Sequence, residues 1–179
     1  MTPRKVWLSE CAGLWRRTLL IEEDGSRVVG GDVRWLQADA AYVDSRGFGG
    51  RLHQRDDVFE WHRMVDLEPP GPFPDAGVMH WDGDVLVETG VHADYVEHWV
   101  RDDGAASPRW ALTLRSADAR DALLIRVGAV FGWASATAVA LADVGGTEWE
   151  ALAPETSGDE VRVNGVRWTV VQSEGDVEL

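Results

Sequence analysis

The amino-acid sequence predicts an all-β protein, a single antiparallel barrel of about ten strands with at most one short helix. Three observations predict it. Four Asx-Gly dipeptides, Asp24-Gly25, Asp82-Gly83, Asp103-Gly104 and Asn164-Gly165, stand between or beside segments rich in Val, Leu, Trp and Thr, and such pairs tolerate the positive φ angles of tight hairpin turns. No helical segments alternate with these stretches, which excludes a doubly wound parallel sheet. Ten tryptophans, spread from Trp7 to Trp168, supply large apolar surfaces at intervals suited to the wall and core of a barrel. Closure removes the exposed edges that a long meander would otherwise carry.

Residues 14–22 read as the first strand. In the next, 27–37, Val33, Trp35 and Gln37 share one face while Arg34 and Leu36 share the other. Residues 41–46 form a short strand, and 58–66 alternate again. Residues 68–74, Glu-Pro-Pro-Gly-Pro-Phe-Pro, must be a loop, because proline cannot donate to a ladder. Strands at 77–81 and 84–90 pair across Asp82-Gly83, and 95–101 returns before Asp103-Gly104. Two further strands follow at 110–115 and 123–134. The alanine-rich residues 136–144 are expected as the one helix. After 148–152, a Pro/Ser/Gly loop leads to a closing hairpin of 160–163 and 166–172, and the acidic end, 172–179, is expected to fray.

A chain of 179 residues buries a sizeable core without metals or disulfides, and residues 1–179 are read as a single domain. Its 31 acidic residues against 17 basic ones give a net charge of -14, which repels phosphate backbones and removes nucleic acid from the expected partners. Such a surface promotes solubility; an acidic module that recruits a basic protein is the alternative. The lone cysteine, Cys11, cannot close an internal disulfide, so a reducing cytoplasm is the expected location. Glu10 and Arg16-Arg17 interrupt any apolar run after the basic N-terminus, and Arg126 breaks the longest apolar stretch, 123–144. Neither an export signal nor a membrane span is expected.

A set of short motifs points further. Trp35-Leu36-Gln37 is followed by Ala41-Tyr42-Val43-Asp44-Ser45-Arg46 and Gly47-Phe48-Gly49-Gly50. Trp61-His62-Arg63-Met64-Val65-Asp66, Pro69-Pro70, Asp75-x-Gly77, Glu88-Thr89-Gly90 and Tyr95-x-Glu97-x-Trp99 come later. Together they resemble the bacterial relatives of the fungal Hri protein family, over residues 14–99. The resemblance implies a calycin, lipocalin-like barrel; the family has no assured activity, so the resemblance bears on fold rather than function. Two departures touch Asp44 and Arg46: Ser45 replaces the pattern's usual aliphatic residue, and the segment between Arg46 and Gly47 is shorter than the pattern. Gly13-Leu14-Trp15 also matches the short Gly-x-Trp signature of lipocalin-type barrels, whose indole would plug the closed end.

The leading functional reading is a binding module. Trp35, Trp61, Tyr95 and Trp99 would line the barrel's mouth or interior, with Asp44, Arg46 and Glu88 as polar anchors, and hold a small apolar or aromatic molecule. Asp44 and Arg46 share a strand face, as bidentate recognition of a polar group requires. The rival reading is a cofactor-independent isomerase, cyclase or dehydratase. There Glu60 would orient and tune His62 from position i to i+2 as a general base, assisted by His80 or by a His98 buried with Val96 and Val100. Three histidines and a carboxylate suit a metal, but no His-Glu-x-x-His spacing occurs, so neither metal nor cofactor is expected. No Gly-x-Ser-x-Gly elbow surrounds a serine. Gly47-Phe48-Gly49-Gly50 has no P-loop lysine after it and reads as a bend or bulge. The sequence does not define an oligomeric state.

Overall fold

The computed structural model describes residues 2–179, folded into two antiparallel sheets. The first closes on itself. Its ring consists of β2 (Gly13–Ile21), β4 (Arg34–Gln37), β5 (Ala41–Asp44), β6 (Phe48–Arg55), β7 (Val58–Asp66), β8 (Ala76–Asp82), β9 (Val85–Gly90) and β10 (Val96–Arg101). Each pairs with its neighbour in turn, and β10 returns to β2 while β9 pairs with β8. The short strands β1 (Arg4–Lys5) and β3 (Arg27–Val29) add to β8 and β2. An antiparallel barrel of this size leaves no ring edge unpaired.

Period-two alternation sends the tryptophans inward. Trp15 and Trp35 stack at 5.5 Å, Trp81 lies 5.9 Å from Trp15, and Trp35 meets Trp61 and Trp99 edge-on. Such offset and edge contacts add about 0.5–1.5 kcal/mol per pair beyond burial. The indole N–H of Trp15 donates to the Cys11 carbonyl, and that of Trp35 to Gln37. One end is sealed around Trp15: the 3-10 turn Leu8–Glu10 sits there, and the Arg101 guanidinium lies 4.6 Å over the ring while donating to the Glu10 and Ala12 carbonyls. The Gly-x-Trp indole therefore occupies a closed barrel end.

The glycine-rich run forms the expected irregularity. Gly49 pairs with Val65 but Gly50 with Arg63, leaving Met64 extra on β7. This bulge switches the alternation, so that Arg63 serves the barrel while Val65 packs outside. A side chain at Gly50 would strike the His62 carbonyl.

The second sheet runs in the order β14 (Val139–Asp143), β13 (Val130–Ala134), β12 (Asp121–Val127), β11 (Arg109–Arg115), β17 (Val166–Gly175), β16 (Glu160–Val163) and β15 (Glu155–Ser157). One face packs Ala111, Leu123, Ile125 and Leu141 against Leu36, Val43 and Val65 on the barrel's outer wall. The other buries Trp110, Phe131, Trp133 and Trp168, with Trp149 from helix α1 (Thr147–Leu152) against Phe131. The expected antiparallel barrel is thus present, and a second, open sheet leans on it.

Several boundaries differ from expectation. Residues 136–144 are not helical: Val139 and Leu141 face the barrel while Ala142 and Val144 face the other core, so tertiary burial overrides alanine's helix preference. The helix lies just beyond. Residues 27–37 divide at Gly30-Gly31, and 123–134 divide at Gly128. Residues 48–55 form a full strand that short motifs obscured. Three Asx-Gly pairs turn hairpins, whereas Asp103-Gly104 lies in the passage from barrel to second sheet. The acidic end does not fray at 172: β17 continues to Gly175, and the Glu174 carboxylate accepts from the Ala40 and Ala41 amides and pairs with Arg51.

Candidate functional site

A cavity of about 710 Å³ opens inside the barrel above the tryptophan layer. That lies in the range of small-molecule pockets. Trp35, Asp44, Arg46, Trp61, Glu88, Tyr95 and Trp99 all line it. The structure therefore gathers around one space all seven side chains singled out as ligand contacts.

Its polar wall has two parts. In the first, Arg46 grips Asp44 with two nitrogens at 3.0 and 2.8 Å, and reaches Glu97 at 3.2 Å. Glu97 also receives Arg17 at 2.8 Å. Asp44 and Glu97 are buried, so charge-assisted bonds replace their lost water. Arg63, at the rim, pairs with Asp66 and Asp75 and lies 3.6 Å over the Phe48 ring.

The second part is Glu88. Its carboxyl is 4% exposed and meets the Tyr95 hydroxyl at 2.8 Å and the Trp99 indole N–H at 3.3 Å. It forms no ion pair among the described residues. Burial first, then the facing Glu97 carboxylate, pushes the Glu88 carboxyl well above its ordinary range. Both effects favour the neutral, protonated form of the Glu88 carboxyl. Gly77 on the neighbouring strand makes room: a Cβ there would stand 2.7 Å from the Glu88 Cγ.

The histidine readings are corrected by strand phase. Phe59, Trp61 and Arg63 take the inward positions of β7, so Glu60 and His62 point outward; they meet at 3.1 Å, half-exposed, with the His53 ring tilted against that of His62 at 4.2 Å. His98 is not buried with Val96 and Val100, because Glu97 and Trp99 face in. His80 and His98 instead flank Val87 in one row on the barrel's outer face. None of the four catalytic candidates lines the cavity.

Arg17, Arg63, Asp75, Glu97 and Phe48 line the cavity although the functional reading passed over them. Alternation carried the signal for three: Arg17 follows Trp15, Arg63 follows Trp61, and Glu97 lies between Tyr95 and Trp99. The resemblance motifs contribute Phe48, Arg63, Asp75 and Glu97 to the same space.

A closed antiparallel barrel, sealed at one end and hollow above its indole layer, defines a lipocalin-like architecture. No family model matches the chain, and no curated protein does. Its fold is similar to the crystal structure of an uncharacterized protein from Saccharomyces cerevisiae, YLR301w, with TM-score 0.57 and 13% identity, over 90% of this chain and 98% of that one. No helix among the described residues is long and apolar enough to cross a membrane.

Proposed function

We propose that the protein binds a small molecule with an apolar or aromatic body in the barrel cavity, and that it belongs with the bacterial relatives of the fungal Hri family. One observation carries the binding reading: a single cavity of about 710 Å³ joins an aromatic floor of Trp35, Trp61 and Trp99 to a few fixed polar groups. Apolar lining with convergent polar anchors is the usual design of a small-molecule site. The family assignment is supported by its motif residues, which converge on that cavity. The lone, buried Cys11 and the charge of -14 accord with a cytoplasmic protein that does not bind nucleic acid.

Isothermal titration against a panel of small aromatic and apolar compounds tests the binding. Saturable binding of a subset, with dissociation constants below about 100 μM and weakened at least about tenfold by Trp61→Ala, is expected. Failure of every compound to bind, or binding indifferent to Trp61, overturns it.

A further inference from the structure

The charge balance of the cavity and the isolation of Glu88 narrow the ligand class. We propose that the cavity takes an organic cation, an ammonium or amidinium group carried on an apolar or aromatic body, with Glu88 as its counter-ion. This deepens the binding reading above and rests on it.

Eight carboxylates and three guanidiniums line the space. All three guanidiniums are already engaged: Arg17 with Glu97, Arg46 with Asp44 and Glu97, Arg63 with Asp66 and Asp75. An incoming anion would have to break one of these pairs and leave a buried carboxylate unmatched. It would also pass Glu22, Glu23, Asp24 and Asp94, which stand on the cavity wall with no basic residue among them. A cation meets the reverse situation. Among the described residues Glu88 has only neutral hydrogen-bond partners, the Tyr95 phenol and the Trp99 indole, and is the buried carboxyl there without an ion pair.

The aromatic surface favours the same sign. Trp35, Trp61 and Trp99 surround the space beside Glu88, and the electron-rich faces of such rings attract desolvated cations. Arg46 already exploits this, lying 5.7 Å from the Trp99 ring and 5.4 Å from Phe48.

Occupancy has a chemical consequence. Burial and the facing Glu97 raise the Glu88 carboxyl, and a cation beside it favours the ionised form, so binding shifts that carboxyl toward releasing its proton to solvent. To the extent that the proton leaves, the positive charge of the ligand replaces it inside the barrel.

The test uses matched probes that share a body and differ in the head group. One series is tryptamine, tryptophol and indole acetate; another is hexylamine, hexanol and hexanoate. Titration calorimetry at about pH 7 in phosphate and in Tris, which differ in ionisation enthalpy, reads affinity and proton release together. The amine is expected to bind at least about tenfold more tightly than its alcohol, with the carboxylate weakest and net proton release accompanying the amine alone. Glu88→Gln, which keeps both neutral hydrogen-bond partners, should remove the amine's advantage and the proton release but retain alcohol binding. Alcohols or carboxylates binding as well as amines would overturn the cation proposal and leave the binding reading intact. Amine binding unchanged in Glu88→Gln would do the same. If no probe of either series binds, both fail.

Discussion

Glu88 and Glu97 stand opposite each other as register partners on neighbouring strands of the barrel, both buried, in contrasting company. Glu97 is held by two guanidiniums; Glu88 is held by a phenol and an indole. Two like carboxyls at close quarters cannot both ionise cheaply, and this repulsion adds to burial in raising the Glu88 carboxyl. The asymmetry gives the cavity one carboxyl matched by positive charge and one that is not.

Stability should reflect that proton. Because the Glu88 carboxyl sits above its ordinary 4.5 in the folded state, the native protein retains a proton that the unfolded chain releases. Stability therefore falls as pH rises from about 4.5 and levels off once the native carboxyl also ionises. Glu88→Gln lacks this term, so its urea midpoint should gain on wild type as pH increases over that interval. Parallel profiles for the two proteins would contradict the assignment.

Gly77→Ala should cost about 1–3 kcal/mol, the usual range for overpacking. The new methyl lies 2.7 Å from the Glu88 Cγ and 2.9 Å from Oε1, and Tyr95 and Trp99 prevent that side chain from swinging away. In a Glu88→Ala background the same change should cost less. Equal costs in both backgrounds, measured by urea denaturation, would show that the crowding lies elsewhere.

Cys11 should be unreactive in the native protein. Burial pushes its thiol up to about 12, and the nucleophile is the thiolate. An aromatic disulfide reagent at about pH 8 should label it only after urea is added. Rapid labelling under native conditions would place the thiol at the surface.

The two sheets are joined by Glu174. Glu174→Ala removes the acceptor of the Ala40 and Ala41 amides and the partner of Arg51, at an expected cost of about 1–3 kcal/mol. Thermal melting that matches wild type would show this contact to be dispensable.

His62→Ala should change little. Its ring is half-exposed on the outer face, so stability should stay within about 0.5 kcal/mol of wild type and cavity binding should be unaltered. A binding loss comparable to that of Trp61→Ala would require His62 to act on the cavity from outside.

The barrel was legible because strand ends carry local signals, glycines with positive φ at Gly25, Gly83 and Gly165, and because period-two alternation is strong where one face meets solvent. It was least legible where both faces are covered. In β5, Ala41–Asp44, all four residues are buried, since Tyr42 serves the barrel and Val43 the second sheet; no alternation survives. The cavity residues emerged from aromatic and charged types on shared faces, so the seven ligand candidates were found together. The histidines went astray because a strand's period does not say which phase points inward. In β7 that choice is made by Phe59 and Trp61, whose area outweighs that of Glu60 and His62. The second sheet was hidden for another reason: its pairing joins 109–115 to 166–175, a long-range contact without a local signature.

Between the tryptophan interior and the second sheet lies the thickness of one strand. Leu36 and Val43 project from the same strands as Trp35 and Tyr42, and at Gly49 the side chains of Leu123 and Ala134 approach the bare backbone closely. Neither compartment can change volume without displacing the partition it shares with the other. The barrel and its companion sheet are therefore constrained to drift in concert, like two rooms divided by a single wall.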